Sequence, residues 1–430
     1  MKLESYWTDS APVFTGAETP LPGRADVAIV GGGFTGLSAA LAFARRGASV
    51  VVLEAGAVAS EASGRNGGHV NNGLAVDYAT LADKVGRENA QAWYRAYDAA
   101  VDSVAAVVEE EGLDCDFARN GKLKLAVRPA HYDFIARGFE RLKKEVDPDV
   151  ELLDTAGVAA EVASGRYCGG LLMKKSAQMH MGRFAHGLAE AAQQQGARIH
   201  TGTTVQRLER KRSAGPHAYT VHTSAGRLEA DKVLVCTGAT RHGGFGSFGW
   251  WRRRIVPVGS FLVVTAPLEA RQAELLLPRR RTYTTTENIH NYYRLTADNR
   301  LVFGGRARFA ISSPQSDAKS GEILREALAR TFPQLAGVRL DYCWGGLVDM
   351  SRDRLPHAGE RDGLFYSLGY SGHGTQMSVH MGRIMARVME GDAAANPWRD
   401  LPWPAIPGHF GPPWFLPAVG FYYRMKDKLS

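Results

Sequence analysis

Asp26-Val27-Ala28-Ile29-Val30-Gly31-Gly32-Gly33-Phe34-Thr35-Gly36 is the stretch on which the reading of this chain turns. Its first five residues are an apolar run headed by one acid, the pattern of a buried strand. Three glycines follow, and over residues 34–46 apolar side chains return at helical spacing until Gly47 ends the helix. Residues 49–53 form a second β-branched run that closes on Glu54. Strand, glycine turn, helix and strand make a βαβ unit, and Gly31, Gly33 and Gly36 supply the G-x-G-x-x-G of a dinucleotide site. Gly31 permits the tight turn, Gly33 lets backbone approach a pyrophosphate, and Gly36 lets helix and strand pack closely. The phosphates are expected over the helix N-terminus, where free N–H groups and the dipole favour negative charge. Glu54 stands about 20 residues further on, where an acid bonds a ribose and repels a 2′-phosphate. Residues 27–44 are uncharged and long enough to imitate a membrane span, but the glycine turn and closing acid favour a buried strand–turn–helix.

Outward from this unit, the 430-residue chain exceeds the roughly 250–300 residues that one core serves, so two domains are expected. Its 48 glycines lie well above the usual share of about 7%, which suggests many tight turns and close backbone approaches to a ligand. Cys115, Cys168, Cys236 and Cys343 are scattered, without C-x-x-C or Cys/His metal spacing. They fit free, mostly buried thiols in a reducing, cytoplasmic setting, with no metal site. Residues 1–24 carry Glu4, Asp9 and Glu18 around no apolar core, so no signal peptide is expected. The formal net charge is +8, with basic clusters at 207–212, 252–254 and 279–281. These fall between apolar segments with no DNA or RNA module, and read as solvated surface rather than a nucleic-acid interface.

Helical patterns occupy 81–85, 88–111, 129–145, 183–195, 320–332 and 375–389. Strand patterns occupy 121–127, 198–200, 219–223, 227–230, 232–236, 261–265, 291–296, 301–304 and 364–368, with a hairpin turn at 224–226. The fold class is therefore α/β. A discontinuous Rossmann-like domain (25–90, 170–250 and 345–390) carries an inserted, mainly antiparallel β-sheet domain (91–169 and 251–344). An arm (1–24) precedes them, and a tail rich in Pro and aromatics (391–430) is expected to dock on the body.

After Glu54 come Ala55-Gly56 and Glu61-Ala62-Ser63-Gly64-Arg65-Asn66-Gly67-Gly68-His69, where a nicotinamide domain would normally continue with another helix. This loop resembles the flavin-contacting loop of the D-amino acid oxidase superfamily, which includes glycine, sarcosine and γ-glutamylputrescine oxidases. Residues 231–239, ending in Thr237-Gly238-Ala239, resemble the family's second apolar strand beside the cofactor. Residues 344–353 resemble its W-x-G segment, which leads to the flavin ring. Gly369-Tyr370-Ser371-Gly372-His373-Gly374-Thr375 resembles its late loop, whose amides face the flavin. The resemblance spans 26–390 and implies bound FAD, with the Rossmann-like pieces as its domain. The residues it implies at the cofactor are Gly31, Gly33, Phe34, Thr35 and Gly36; Glu54 and Ala55; Ser63, Arg65, Asn66, Gly67, Gly68 and His69; Val205, Thr237 and Gly238; Gly346; and Gly369, Gly372, His373, Gly374 and Thr375.

Sarcosine-oxidase-like members bind flavin covalently through a cysteine of the W-x-G segment; that position is Gly346 here, and Cys343 lies upstream. Dimethylglycine-dehydrogenase-like members use a histidine where Asn66 stands, with His69 close by. The resemblance thus implies non-covalent FAD. Members acting on α-amino acids often follow W-x-G with an arginine and a proline, and the arginine pairs with the substrate carboxylate. Val348 and Asp349 stand there instead, and Asp349 either holds a substrate ammonium or caps a loop. Residues 63–68, Trp344-Gly345-Gly346, Arg354-Leu355-Pro356-His357 and the aromatic tail most resemble γ-glutamylputrescine oxidoreductases. That branch oxidises a primary amine, and Arg294 or Arg306 would then receive a distant carboxylate. The expected partners are a small-molecule amine and O2.

Tyr292, Tyr293 and Arg294, with Trp344, are the pocket candidates; alternation along a strand lets only one of the two tyrosines face inward. Three rival readings stay open: a dehydrogenase passing electrons to a quinone or protein, a nicotinamide dehydrogenase, and a flavin-binding protein without turnover.

Overall fold

The computed structural model describes residues 1–211, 215, 217–239, 248–306, 312–411 and 413–429; Arg212, in one of the basic clusters, lies outside them. Arg24–Val30 and Val50–Leu53 are neighbouring parallel strands joined through the helix Phe34–Ala44. Parallel strands are covered on both faces, which is why they read as unbroken apolar runs. Gly226–Val235 lies parallel on the other side of Arg24–Val30, then Leu364–Leu368, and His357–Arg361 closes that edge antiparallel. Arg198–His200 extends the opposite edge beside Val50–Leu53. Tyr219–Thr223 and Val205–Arg210 hang antiparallel from the first half of Gly226–Val235.

The sequence separates 227–230 from 232–236, but the two are one continuous strand. Asp231 and Lys232 break the apolar pattern without breaking the backbone. Asp231 pairs with Arg24 at the surface, while Lys232 runs its stem inward to donate to the Met389 carbonyl at 2.5 Å.

The second sheet has the order Leu340–Met350, Val256–Thr265, Leu301–Gly305, Asn291–Leu295, Thr282–Thr285, Lys122–Ala126, Gly169–Met173, Glu151–Asp154. It is antiparallel except where Thr282–Thr285 runs parallel to Lys122–Ala126. The expected domain borders at 169/170 and 344/345 cut through two of these strands, because both segments continue the second sheet, to Met173 and Met350. The helix expected at 320–332 begins earlier, at Pro314, where Ser313 and Ser316 form a reciprocal cap. The tail ends in a helix, Leu416–Leu429. It docks through Leu416 against Val256 and Val258, and through Asp427, which accepts from the Asn288 and Ile289 amides.

Phe34–Ala44 and Gly374–Met389 pack so closely that a Cβ on Gly382 would lie 2.5 Å from the Thr35 carbonyl oxygen. The four cysteines are free thiols. Among the described residues, no helix is long and apolar enough to cross a membrane.

Candidate active site

Between the two sheets lies a cavity of about 420 Å³. Gly31, with φ +110°, makes the turn at its base, and a Cβ on Gly36 would meet the Gly31 carbonyl oxygen at 2.0 Å. Gly36 is therefore a packing residue that does not itself line the cavity. Gly33 does line it: a Cβ there would meet only Ser63, at 3.0 Å, and otherwise project over the mouth of the helix. That helix has no side-chain N-cap at Gly33, although the Phe34 amide donates to Ser63 Oγ at 3.1 Å. Glu54 accepts from the Gly32 amide at 2.6 Å and the Gly56 amide at 2.8 Å, so its carboxylate is fixed at the cavity edge. Ala55, Val205, Thr237 and Gly238 complete this end, with Thr35 and Phe34 at the helix start.

The loop that follows Glu54 is held from behind. Ser5 Oγ donates to the Gly64 carbonyl at 2.9 Å, the Trp7 indole to the Asn66 carbonyl at 2.7 Å, and the Trp344 indole to the Arg65 carbonyl at 3.0 Å. Arg294 donates from Nε to the Gly67 carbonyl at 2.8 Å and from Nη2 to the Met179 carbonyl at 2.7 Å. Asn66 bonds inward through its side chain, accepting from the Gly68 amide at 2.9 Å and Thr375 Oγ1 at 3.3 Å. Ser63, Arg65, Asn66, Gly67 and His69 thereby line the cavity. Gly68, with φ +75°, is turned away from it, and a Cβ there would strike the Arg294 guanidinium.

The opposite wall is the loop 369–375 and the start of Gly374–Met389, a helix that also lacks a side-chain N-cap. Gly372, His373, Gly374 and Thr375 line the cavity; Gly369, with φ +80°, makes the turn behind them. Asp349 accepts from the Gly369 amide at 2.7 Å, and the Tyr370 and Ser371 amides also bond to it, so the loop-capping role is realised. Burial raises its pKa to about 6 despite those donors. Gly346 lines the cavity at Arg65, whose Cβ would lie 3.2 Å from a Cβ placed on that glycine. Cys343 is buried in the second sheet's core instead, donating to the Asp317 carbonyl.

The second sheet supplies the last wall. Tyr292 lines the cavity with its ring flat over Gly304, where a Cβ would lie 2.5 Å from it, and its hydroxyl meets Ser260 Oγ at 2.9 Å. Tyr293 points the other way and stacks between Tyr283 and Phe303 at 5.3 and 5.7 Å. Alternation thus assigns Tyr292 to the cavity and corrects the candidacy of Tyr293. Arg294 and Trp344 are corrected as well, since their donors are spent on loop carbonyls and neither lines the cavity. Burial brings the Arg294 pKa down to about 10.

Sequence reasoning passed over Lys122, Lys124 and His290 and named Arg306, with Arg294, as a candidate for a distant carboxylate; Arg306 and the other three line the cavity. The signal was present in Lys122-Leu123-Lys124-Leu125. With both leucines in the second core, both lysines must emerge on the cavity side of a strand buried on both faces. Burial lowers the Lys122 pKa to about 7, and those of His69, His290 and His373 to about 3.

These residues fit a flavin dinucleotide. Two uncapped helix N-termini open on one cavity, an acid stands at the end of the second strand, and Gly33 leaves backbone bare for phosphate. His69 Nε2 and His373 Nδ1 are buried in its wall without partners, as groups awaiting a polar ligand are. A Rossmann-like sheet with such a cavity against a second, mainly antiparallel sheet defines an FAD-dependent oxidoreductase. The chain belongs to the DAO family, described as FAD dependent oxidoreductase, whose profile matches residues 26–388. It is 32% identical over 410 residues to the gamma-glutamylputrescine oxidoreductase of Escherichia coli K12, covering 94% of this chain and 93% of that one. It is 26% identical to the glycine oxidase of Geobacillus kaustophilus, covering 85% of this chain and 93% of the other. The crystal structure of that species' glycine oxidase superposes with a TM-score of 0.69 at 22% identity, over 86% of this chain and 95% of that one. L-Proline dehydrogenase from P. horikoshii does so with a TM-score of 0.70 at 18% identity, over 88% and 98%. The chain is an enzyme, and FAD is its cofactor.

Proposed function

We propose that this enzyme oxidises the C–N bond of a primary amine to an imine, which water hydrolyses to an aldehyde and ammonia while O2 is reduced to H2O2. The substrate class is a γ-glutamyl amine or polyamine. One observation carries the choice of an amine over an α-amino acid. Val348 and Asp349 replace the arginine and proline expected after W-x-G, and Asp349 is a buried carboxyl committed to the loop 369–371. A carboxylate beside the reacting amine would meet no guanidinium there. The similarity to the E. coli gamma-glutamylputrescine oxidoreductase supports the same reading.

Glu54, Gly33, the Phe34 helix and the Thr237–Gly238 turn would hold the dinucleotide end of FAD, and the loops at 63–69, 346–349 and 372–375 its ring. When bound, the flavin supplies a two-electron acceptor for the hydrogen on the carbon beside the amine. Tyr292, fixed by Ser260 and the absence of a side chain at Gly304, forms the floor on which a substrate chain lies. His69 and His290 stay neutral in this enclosed setting and add no positive charge beside the amine. No residue of the wall needs to act as an obligate acid or base. The binding is non-covalent: Gly346 has no thiol, and Cys343 faces the other core.

The test is anaerobic flavin reduction by γ-glutamylputrescine, putrescine, glycine, sarcosine and D-alanine across pH. The first is expected to be fastest, with a rate rising toward an amine-like pKa. Fastest reduction by glycine, sarcosine or D-alanine would replace this reading with an amino acid oxidase.

A further inference from the structure

We infer that Lys124 and Arg306 form an anion-recognising wall that selects amines carrying a carboxylate at the end remote from the reacting carbon. This deepens the amine reading above and rests on it for which end of the substrate reacts.

The argument begins with the sheet register. Thr284 lies between Lys124 on one side and Tyr292 on the other, and Tyr292 in turn pairs with Gly304. Arg306 follows at the end of that last strand, one step beyond the pairing of Asn291 with Gly305. The two cations therefore flank the Tyr292 floor, at a backbone separation of roughly 15 Å for strands 4.7–4.9 Å apart. Both side chains line the cavity, and both are long enough to lean over the floor from either side.

Neither is held in an ion pair. Among the described residues, no carboxylate lies within salt-bridge distance of Lys124 or Arg306; the charge of Asp77 reaches Lys124 only from further off, and Arg306 donates to Met350 Sδ at 3.9 Å. The residues outside the described set carry no Asp or Glu side chain. A half-buried cation without a carboxylate in direct contact is costly, and its wall position is explained by a ligand that brings the charge. Arg294, fully buried, shows the alternative: its donors are satisfied by carbonyls of its own chain. Lys122, on the same face as Lys124, donates to the Asn72 carbonyl at 3.0 Å and is not part of the pair. The same charges disfavour a free diamine, which would bring a second ammonium toward Lys124 or Arg306. The site thus separates the two substrate classes left together above: the carboxylate-bearing amine is taken and the polyamine refused.

The test uses the flavinylated enzyme and two ligands that cannot react, so it is read without turnover. N-Butylglutaramic acid has the carboxylate and no amine; N-butylacetamide has neither. Binding is followed by the perturbation of the flavin visible spectrum. The parent enzyme is expected to prefer N-butylglutaramic acid, and Lys124→Met or Arg306→Met to shrink that preference roughly 10- to 100-fold, the scale of a hydrogen bond to a charged group. Lys124→Arg should retain most of it, which separates charge from packing. Equal affinity of the parent for both ligands, or an undiminished preference in both Met variants, overturns the inference. In turnover, γ-glutamylputrescine should surpass N-acetylputrescine, and both should surpass putrescine. If no amine reduces the flavin, the amine reading fails while the binding preference still decides the anion wall.

Discussion

Gly33 and Gly36 stand in one motif and answer to different constraints. Gly36 faces the Gly31 carbonyl, with 2.0 Å left for a Cβ, so Gly36→Ala must spread strand from helix. We expect it to cost about 3 kcal/mol or more and to lower soluble yield, since overpacking typically costs 1–3 kcal/mol before backbone is involved. Gly33 faces the cavity, so Gly33→Val should fold and fail to retain flavin. The ratio of flavin absorbance to protein, read beside Tm, distinguishes the two outcomes. Glu54→Ala should weaken FAD by about 1–3 kcal/mol in a flavin titration of apoprotein, because it removes a charged acceptor. At this scale the sequence was legible wherever local geometry sets the residue, as in the glycine turn and the closing acid. It was not legible for Arg294, whose partners are carbonyls of residues 67 and 179, far away in the chain. Nor was it for Lys124, whose meaning depends on which side of the sheet becomes the cavity.

The short helix Tyr6–Asp9 is too brief to be stable alone, and its Trp7 is nevertheless fully buried. Trp7 packs on His180 and Trp344, with the Arg294 guanidinium 5.0 Å over its ring, while its indole N–H holds the Asn66 carbonyl. The element read as an arm is thus a prop for the cofactor loop. Trp7→Ala should cost about 3–5 kcal/mol, the usual range for emptying a buried aromatic site. It should also loosen flavin, which dialysis of the holoprotein against buffer would reveal as faster loss of colour. Unchanged retention in a destabilised Trp7→Ala protein would show that the prop supports the fold alone. Propensity and periodicity describe an element by its own residues, so they had no means of joining Trp7 to a loop near residue 66. The strands at 282–285 and 340–350 were missed for a related reason: the first is fixed by pairing on both sides, and the second, with its two glycines, by pairing along its length with Val256–Thr265 rather than by intrinsic preference.

Among the described residues, two eight-stranded sheets, beside a third of two strands, face one cavity. We propose the first as the FAD-binding domain and the second as the substrate domain, with the borders moved to the strand ends at 173 and 350. Three half-buried histidines of the wall, His69, His290 and His373, have pKa values lowered from 6.5 to about 3, chiefly by the desolvation of their rings. The unfolded chain therefore binds protons that the folded chain refuses, and stability falls as pH drops below 6.5. The loss is on the order of 1 kcal/mol per pH unit for each such group. Tm should accordingly decline between pH 6.5 and 5, above the range where ordinary carboxylates titrate. A flat Tm over that window would mean the cavity admits water freely to these rings. Bound flavin should oppose unfolding by about 4 kcal/mol at a free concentration 1,000-fold above Kd, and deflavination should lower Tm correspondingly.

The central strand Arg24–Val30 hydrogen-bonds to Gly226–Val235, which in turn pairs with Leu364–Leu368. On a ribosome, the fingerprint glycines emerge early and then wait for most of the chain before the strands beside them exist. Closing contacts across such long loops is slow, and the wall formed by residues 372–375 arrives later still. Cofactor capture is therefore a late event in maturation, and cells short of riboflavin should accumulate nearly complete chains that proteases can still reach.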